Sequence, residues 1–170
     1  MVKITKGFGE LAKVGLTARK APRISGAQAS GCNPVANAYV RGWDAVKPVR
    51  HPDTIAKSLA IGNPADGYYV LKIVRETGGG IDEATDAEIA AGVRLLASTE
   101  GIFAETAGGV TIAVLKKLAE SGVVKRGERV VAYITGNGLK TPQAIAPLLG
   151  LAPVIRPTLD AFDAYLGTQA

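Results

Sequence analysis

Residues Arg129–Ile134 read RVVAYI, and the four that follow, Thr135–Gly138, read TGNG. A continuous apolar run closed by a glycine-rich turn is the pattern of a strand buried on both faces, as at the centre of a parallel sheet. The pair therefore predicts a strand over 129–134 that ends in a strand-to-helix turn. Working back along the chain, RISGAQA (Arg23–Ala29) reads as a second buried strand that runs into the turn Ser30-Gly31-Cys32-Asn33. Shorter strands are expected at 81–84 and 101–104. Helical spacing fills the intervals. Ile4, Phe8, Leu11 and Ala12 share a face over 3–15, with Gly15 as terminator, and Pro34 opens a helix over 34–41. Behind Asp66, the residues Val70, Ile73, Val74 and Thr77 recur at helical spacing until Gly78-Gly79-Gly80 stops them. Thr85-Asp86-Ala87-Glu88 is a capping box that opens a helix carrying Ile89, Val93 and Leu96. Glu105 opens another, with Val110, Val114 and Leu118 on one side and Gly122 at its close.

Alternation of this kind predicts an α/β fold, a three-layer structure with a mainly parallel sheet flanked by helices. Residues 1–150 are expected to form the main unit, and 151–170 a tail with a short amphipathic helix over 158–166. The stretch 42–65 is less regular and is punctuated by Pro48, Pro52 and Pro64.

Composition narrows the function classes. No apolar run approaches the ~20 residues of a membrane-spanning helix, and the mixed N-terminus MVKITKGFGELAKVGL is not a signal peptide. A single cysteine, Cys32, forms no internal disulfide, which suits a reducing, cytoplasmic setting. One cysteine and one histidine, His51, argue against a protein-built zinc site, and His51, beside Arg50 and Pro52 in a loop, is placed where no Ser/His/Asp order can be drawn. The net charge of +5 is spread thinly over pairs such as Lys116-Lys117 and Lys125-Arg126, so it reads as solvated surface, and no nucleic-acid partner is expected.

In open parallel sheets, ligands bind beyond the carboxyl ends of strands, so the strand-to-helix turns are the places to search. Three stand out. Thr135–Gly138 could let backbone approach a ligand closely, but it is no dinucleotide fingerprint, because Thr141 stands where a third glycine is required. Glu105-Thr106-Ala107-Gly108-Gly109 places an acid and a hydroxyl in a first helical turn, where capping alone favours them. Leu59-Ala60-Ile61-Gly62-Asn63-Pro64 is an irregular apolar loop, equally suited to a pocket wall and to a connector. Spacing alone delivers an α/β domain and no function.

In combination, TIAKSLAIGNP (Thr54–Pro64), EGIFAETAGG (Glu100–Gly109) and ITGNGLKT (Ile134–Thr141) resemble the threonine synthases in order and spacing, as do GAQASGCNP (Gly26–Pro34) and KGFGELAKVGL (Lys6–Leu16). The likeness covers roughly residues 4–141. It implies the large domain of a fold type II enzyme that uses pyridoxal 5'-phosphate (PLP) to convert O-phosphohomoserine and water to threonine and phosphate. It further implies that Thr135 sets its hydroxyl against the pyridine nitrogen of PLP, with Gly136 beside it and Glu105 near the same ring edge. Ile61, Gly62 and Asn63 would wall the substrate cleft. Many relatives carry proline where this chain has Thr106.

The family's Schiff-base lysine and its glycine-rich phosphate loop have no counterpart in these residues, so the resemblance implies no catalytic residue here. It implies instead a chain that is inactive alone and that partners the missing N-terminal part of the enzyme, with a homodimer possible. Two alternatives stay open: a related PLP lyase of the cysteate synthase or dehydratase type, and a non-catalytic binding module.

Overall fold

The computed structural model describes residues 1–17, 22–148 and 153–168. The elements are α1 (Val2–Lys13), β1 (Gly26–Ala29), α2 (Pro34–Val40), α3 (Gly67–Thr77), β2 (Ile81–Ala84), α4 (Asp86–Glu100), α5 (Thr106–Glu120) and α6 (Leu159–Gly167), with short 3-10 turns at Lys57–Leu59 and between 138 and 148. The expected boundary between residues 150 and 151 lies outside the described residues.

Strands β1 and β2 pair in parallel, Gly26 opposite Ile81 and Ala29 opposite Ala84. Their side chains separate onto two faces, as strand alternation requires. Ala29 and Ala84 pack with Ile89 of α4 and with Val110, Val114 and Leu118 of α5. On the other face, Ile81 packs with Val35 and Ala38 of α2 and with Leu71 and Val74 of α3. Gly26 also turns to this second face, where the Met1 side chain lies against it. Helices thus cover both faces of a parallel sheet, the α/β layering that the sequence predicts.

Several element ends form for the reasons the sequence supplies. The Thr85 hydroxyl accepts from the Glu88 N–H, and the Glu88 carboxylate accepts from the Thr85 N–H, closing the capping box of α4. Gly78 ends α3 in the left-handed conformation, φ 71°. Gln28 adds a long-range cap: its Oε1 accepts from Val35 N and Ala36 N, both at 2.9 Å, and so joins β1 to the start of α2. Helices α4 and α5 approach closely because two glycines meet between them. A Cβ on Gly92 would lie 2.4 Å from the Gly109 carbonyl oxygen, and one on Gly109 would lie 2.4 Å from that of Ile89.

The sheet is smaller than the sequence predicts. Among the described residues it has two strands, β1 and β2. Residues 101–104 contribute only an isolated antiparallel bridge, Ala104 with Asn137. Residues 129–134, the strongest strand signal in the chain, belong to no strand. Their backbone makes no hydrogen bond to any described backbone group, and Val130, Val131 and Tyr133 are exposed. A run apolar on both faces signals that a segment can sit between two neighbours. Pairing itself needs the neighbours, and none is hydrogen-bonded to it here.

Candidate functional site

The site grows from the turn after residue 134. The Glu105 N–H donates to the Gly136 carbonyl at 3.0 Å, and the Gly138 N–H donates to the Phe103 carbonyl at 2.9 Å. These two bonds staple the TGNG turn to the start of α5. Ile134 lies over the first turn of that helix, where a Cβ on Gly108 would come within 3.3 Å of it. Gly136 and Glu105 are therefore brought together, with Thr135 beside them in the turn.

The turn fits only because two residues carry no side chain. A Cβ on Gly136 would fall 2.0 Å from Glu105 Oε1, and one on Gly138 would fall 2.5 Å from the Phe103 ring. Glu105 is 7% exposed. Its carboxylate lies 3.9 Å from the Lys140 ammonium, an extended contact to an exposed partner that is worth little by itself. Asn137 holds the next turn, its Oδ1 accepting from Leu139 N at 2.9 Å. Thr106 occupies the first position of α5, the one helical position that accepts proline readily. The helix start is thus compatible with either residue. What threonine adds is an amide that reaches Thr141 Oγ1 at 3.4 Å, and a buried hydroxyl that has no hydrogen-bond partner among the described residues.

Thr135 is exposed and lines a groove of about 720 Å³. The walls are Met1 and, after it, Ile4 and Phe8 of α1, Ser25 to Ala27 at β1, Val114 and Leu118 of α5, and the segment 129–133. Among the described residues, Arg23 and Arg129 are the basic residues of its lining, and no lysine is among them. At the rim, Arg23 pairs with Glu128, whose carboxyl is held below its usual range by the Lys125 amide first and by Arg23 second.

Ile61, Gly62 and Asn63 take a separate position. The loop is anchored at the carboxyl end of β1, where Asp53 N donates to the Gly31 carbonyl at 3.0 Å. Thr54, 1% exposed, donates to Asp86 Oδ1 at 2.7 Å and ties the loop to the start of α4. Beyond it Gly62 packs on Val49, whose N–H donates to the Gly62 carbonyl at 2.9 Å. These three residues line no part of the groove beside Thr135. His51 is exposed. Cys32 is buried, and burial pushes its thiol above the ordinary range, so it packs as a small apolar group. Among the described residues, no three His, Cys, Asp or Glu side chains converge as a metal site. No described helix is long and apolar enough to cross a membrane.

Thr135 is thus exposed beside the groove, on a turn bonded to the start of α5 where Glu105 is buried. Known proteins share this pattern. Residues 4–136 match the model of pyridoxal-phosphate dependent enzymes. The chain belongs to this family. Its relatives include the threonine synthase of Methanosarcina acetivorans, 38% identical over 93% of this chain and 39% of that protein. The threonine synthase of Methanocaldococcus jannaschii is 40% identical over 83% of this chain and 35% of that protein. That of Mycobacterium tuberculosis is 39% identical over 88% and 39%. The chain thus spans less than two-fifths of the length of these relatives. Maize serine racemase has a similar fold, with a TM-score of 0.52 at 17% identity, covering 84% of this chain and 45% of the racemase.

The residues present fit PLP in part. Thr135, on a turn that Gly136 lets pack against Glu105, is suited to the ring edge of the cofactor. Among the described residues, no lysine lines the groove to hold its aldehyde carbon.

Phe103 and Lys140, which the turn also contacts or adjoins, lie inside EGIFAETAGG and ITGNGLKT, and nothing in the local pattern marks either as a site residue.

Proposed function

We propose that this chain is the ring-edge part of a threonine synthase, which converts O-phosphohomoserine and water to threonine and phosphate. The observation that carries the proposal is the bond of Gly136 to Glu105, which sets Thr135 beside an open groove. Threonine synthases as the full-length relatives support the choice of reaction. When bound, PLP supplies the electron sink that stabilises carbanions at the substrate carbons. Thr135 donates or accepts one neutral hydrogen bond at the ring nitrogen, and a hydroxyl, unlike an aspartate, does not hold that nitrogen protonated. Gly136 carries no side chain, which lets the turn close on the Glu105 carboxylate. Glu105 buries its carboxylate against the turn and fixes the hydroxyl's backbone. Ile61, Gly62 and Asn63 form part of the wall that excludes water from the substrate in the assembled enzyme.

The lysine that moves protons between carbons, and the donors that grip the phosphate, come from the part of the enzyme outside this sequence. The chain alone is therefore inactive. The test is to incubate it with PLP, O-phosphohomoserine and borohydride. The expected result is neither a stable adduct at a single lysine nor threonine. An adduct at one lysine together with threonine formation overturns the proposal of an incomplete enzyme. In the completed enzyme, phosphate release from O-phosphohomoserine is expected, and its absence in the presence of PLP overturns the choice of substrate.

A further inference from the structure

The groove beside Thr135 is more than a cofactor opening, because it lies within the sheet layer itself. Helix α5 closes one of its faces with Val114 and Leu118, the same residues that cover β1. Helix α1 closes the opposite face with Ile4 and Phe8, continuing the side on which Met1 meets Gly26. Its two remaining walls are the segments Ser25 to Ala27 on one side and 129–133 on the other.

Both of those walls are unpaired. In β1, Gly26 N donates to the Gly80 carbonyl and Ser30 N to the Ala84 carbonyl, so residues of that parity face β2. Alternation turns the N–H and C=O of Ala27 to the opposite edge, into the groove. The 129–134 backbone likewise bonds to no described backbone group. An apolar slot with helices above and below and unmade ladder bonds on both sides has the chemistry of a missing strand. Buried backbone groups without partners are costly, and an open sheet edge is a template for pairing.

We propose that this groove is a strand acceptor. Its occupant is an extended apolar segment from the part of a threonine-synthase-like chain that this sequence does not contain. It enters between β1 and 129–134 and pairs with both. The relatives' extra length supplies the occupant, since this chain accounts for only 35% of the Methanocaldococcus jannaschii protein. Apolar walls on both helical faces call for a segment apolar on both of its own, as in a central parallel strand. Main-chain bonds give the affinity in such strand addition. The proposal rests on the functional reading above only for the identity of the partner.

The experiment titrates the purified chain with the recombinant part of the M. jannaschii threonine synthase outside the matched segment, and follows amide hydrogen exchange. The expected result is a complex in which the amides of Ala27 and of residues 130–134 become protected. Val131→Pro removes one ladder donor from an exposed position and should raise the Kd about tenfold or more. Ile4→Asp should weaken binding through the apolar face. Thermal melting of each variant alone confirms that it remains folded. Absence of binding, binding unaffected by both variants, or protection produced by self-association of the chain overturns the strand acceptor. Protection without phosphate release sinks the threonine synthase reading and leaves the acceptor standing. Phosphate release without protection does the reverse.

Discussion

The molecule has two sides that treat similar apolar residues in opposite ways. On one side, β2 and the helices α4 and α5 enclose Ile89, Val93, Val110 and Val114, each 2% exposed or less. On the other, Val130 is 46% exposed, Val131 71% and Tyr133 52%, in a segment of at least equal hydrophobic character. Every partner the first side needs is local or close in the fold: a capping box, a glycine contact, a parallel neighbour. The second side has its helical covers but not its strand. The difference separates what this sequence stabilises by itself from what it holds ready for another segment, and the Thr135–Gly138 turn sits on that boundary.

The largest expected effect lies in the enclosed half. Gly109→Val would push a side chain into the Ile89 carbonyl and into Val93, and should destabilise the chain by about 3 kcal/mol in urea unfolding. A loss below about 1 kcal/mol would mean that α4 and α5 are less tightly joined than their contact implies. Thr85→Ala removes one arm of the capping box and should cost about 1 kcal/mol. Glu88 sharpens the comparison through pH. The Lys117 ammonium first, and the Thr85 amide second, hold its carboxyl down at about 2 against an ordinary 4.5. A depressed folded value contributes stability above about pH 4.5, and that contribution is lost as pH falls toward about 2. Glu88→Gln keeps an acceptor for the cap and should flatten that part of the acid-unfolding curve. The effect should shrink in high salt, since the pair is partly exposed. The smallest effect is expected in the open half. Val131→Ser should change the stability of the chain alone by less than about 0.5 kcal/mol, and a larger loss would show that the segment is already packed.

The same division explains what the sequence made legible. Helices whose ends are encoded within a few residues, such as α4 behind Thr85 and α3 before Gly78, could be read directly. So could the parallel, helix-covered layering, from the alternation of elements. The cap that Gln28 gives α2 could not, because nothing local marks a strand glutamine as a helix cap. RVVAYI gave the clearest strand signal and yet stands unpaired, because apolar patterning records the environment a segment suits and pairing depends on a second segment. The approach of Thr135 to Glu105 was visible only through the family resemblance. Spacing in the chain carries no information about a contact between a turn and a distant helix start. For Ile61, Gly62 and Asn63 the resemblance implies a cleft wall, whereas the contacts found for Gly62 run to Val49.

The most direct measurement is PLP binding, followed by cofactor fluorescence, to this chain alone, to the complementary part of the M. jannaschii enzyme alone, and to the two together. The account predicts tight binding only in the mixture, weakened when the chain carries Thr135→Val. Tight binding by this chain alone, or a mixture indifferent to Thr135→Val, would contradict it.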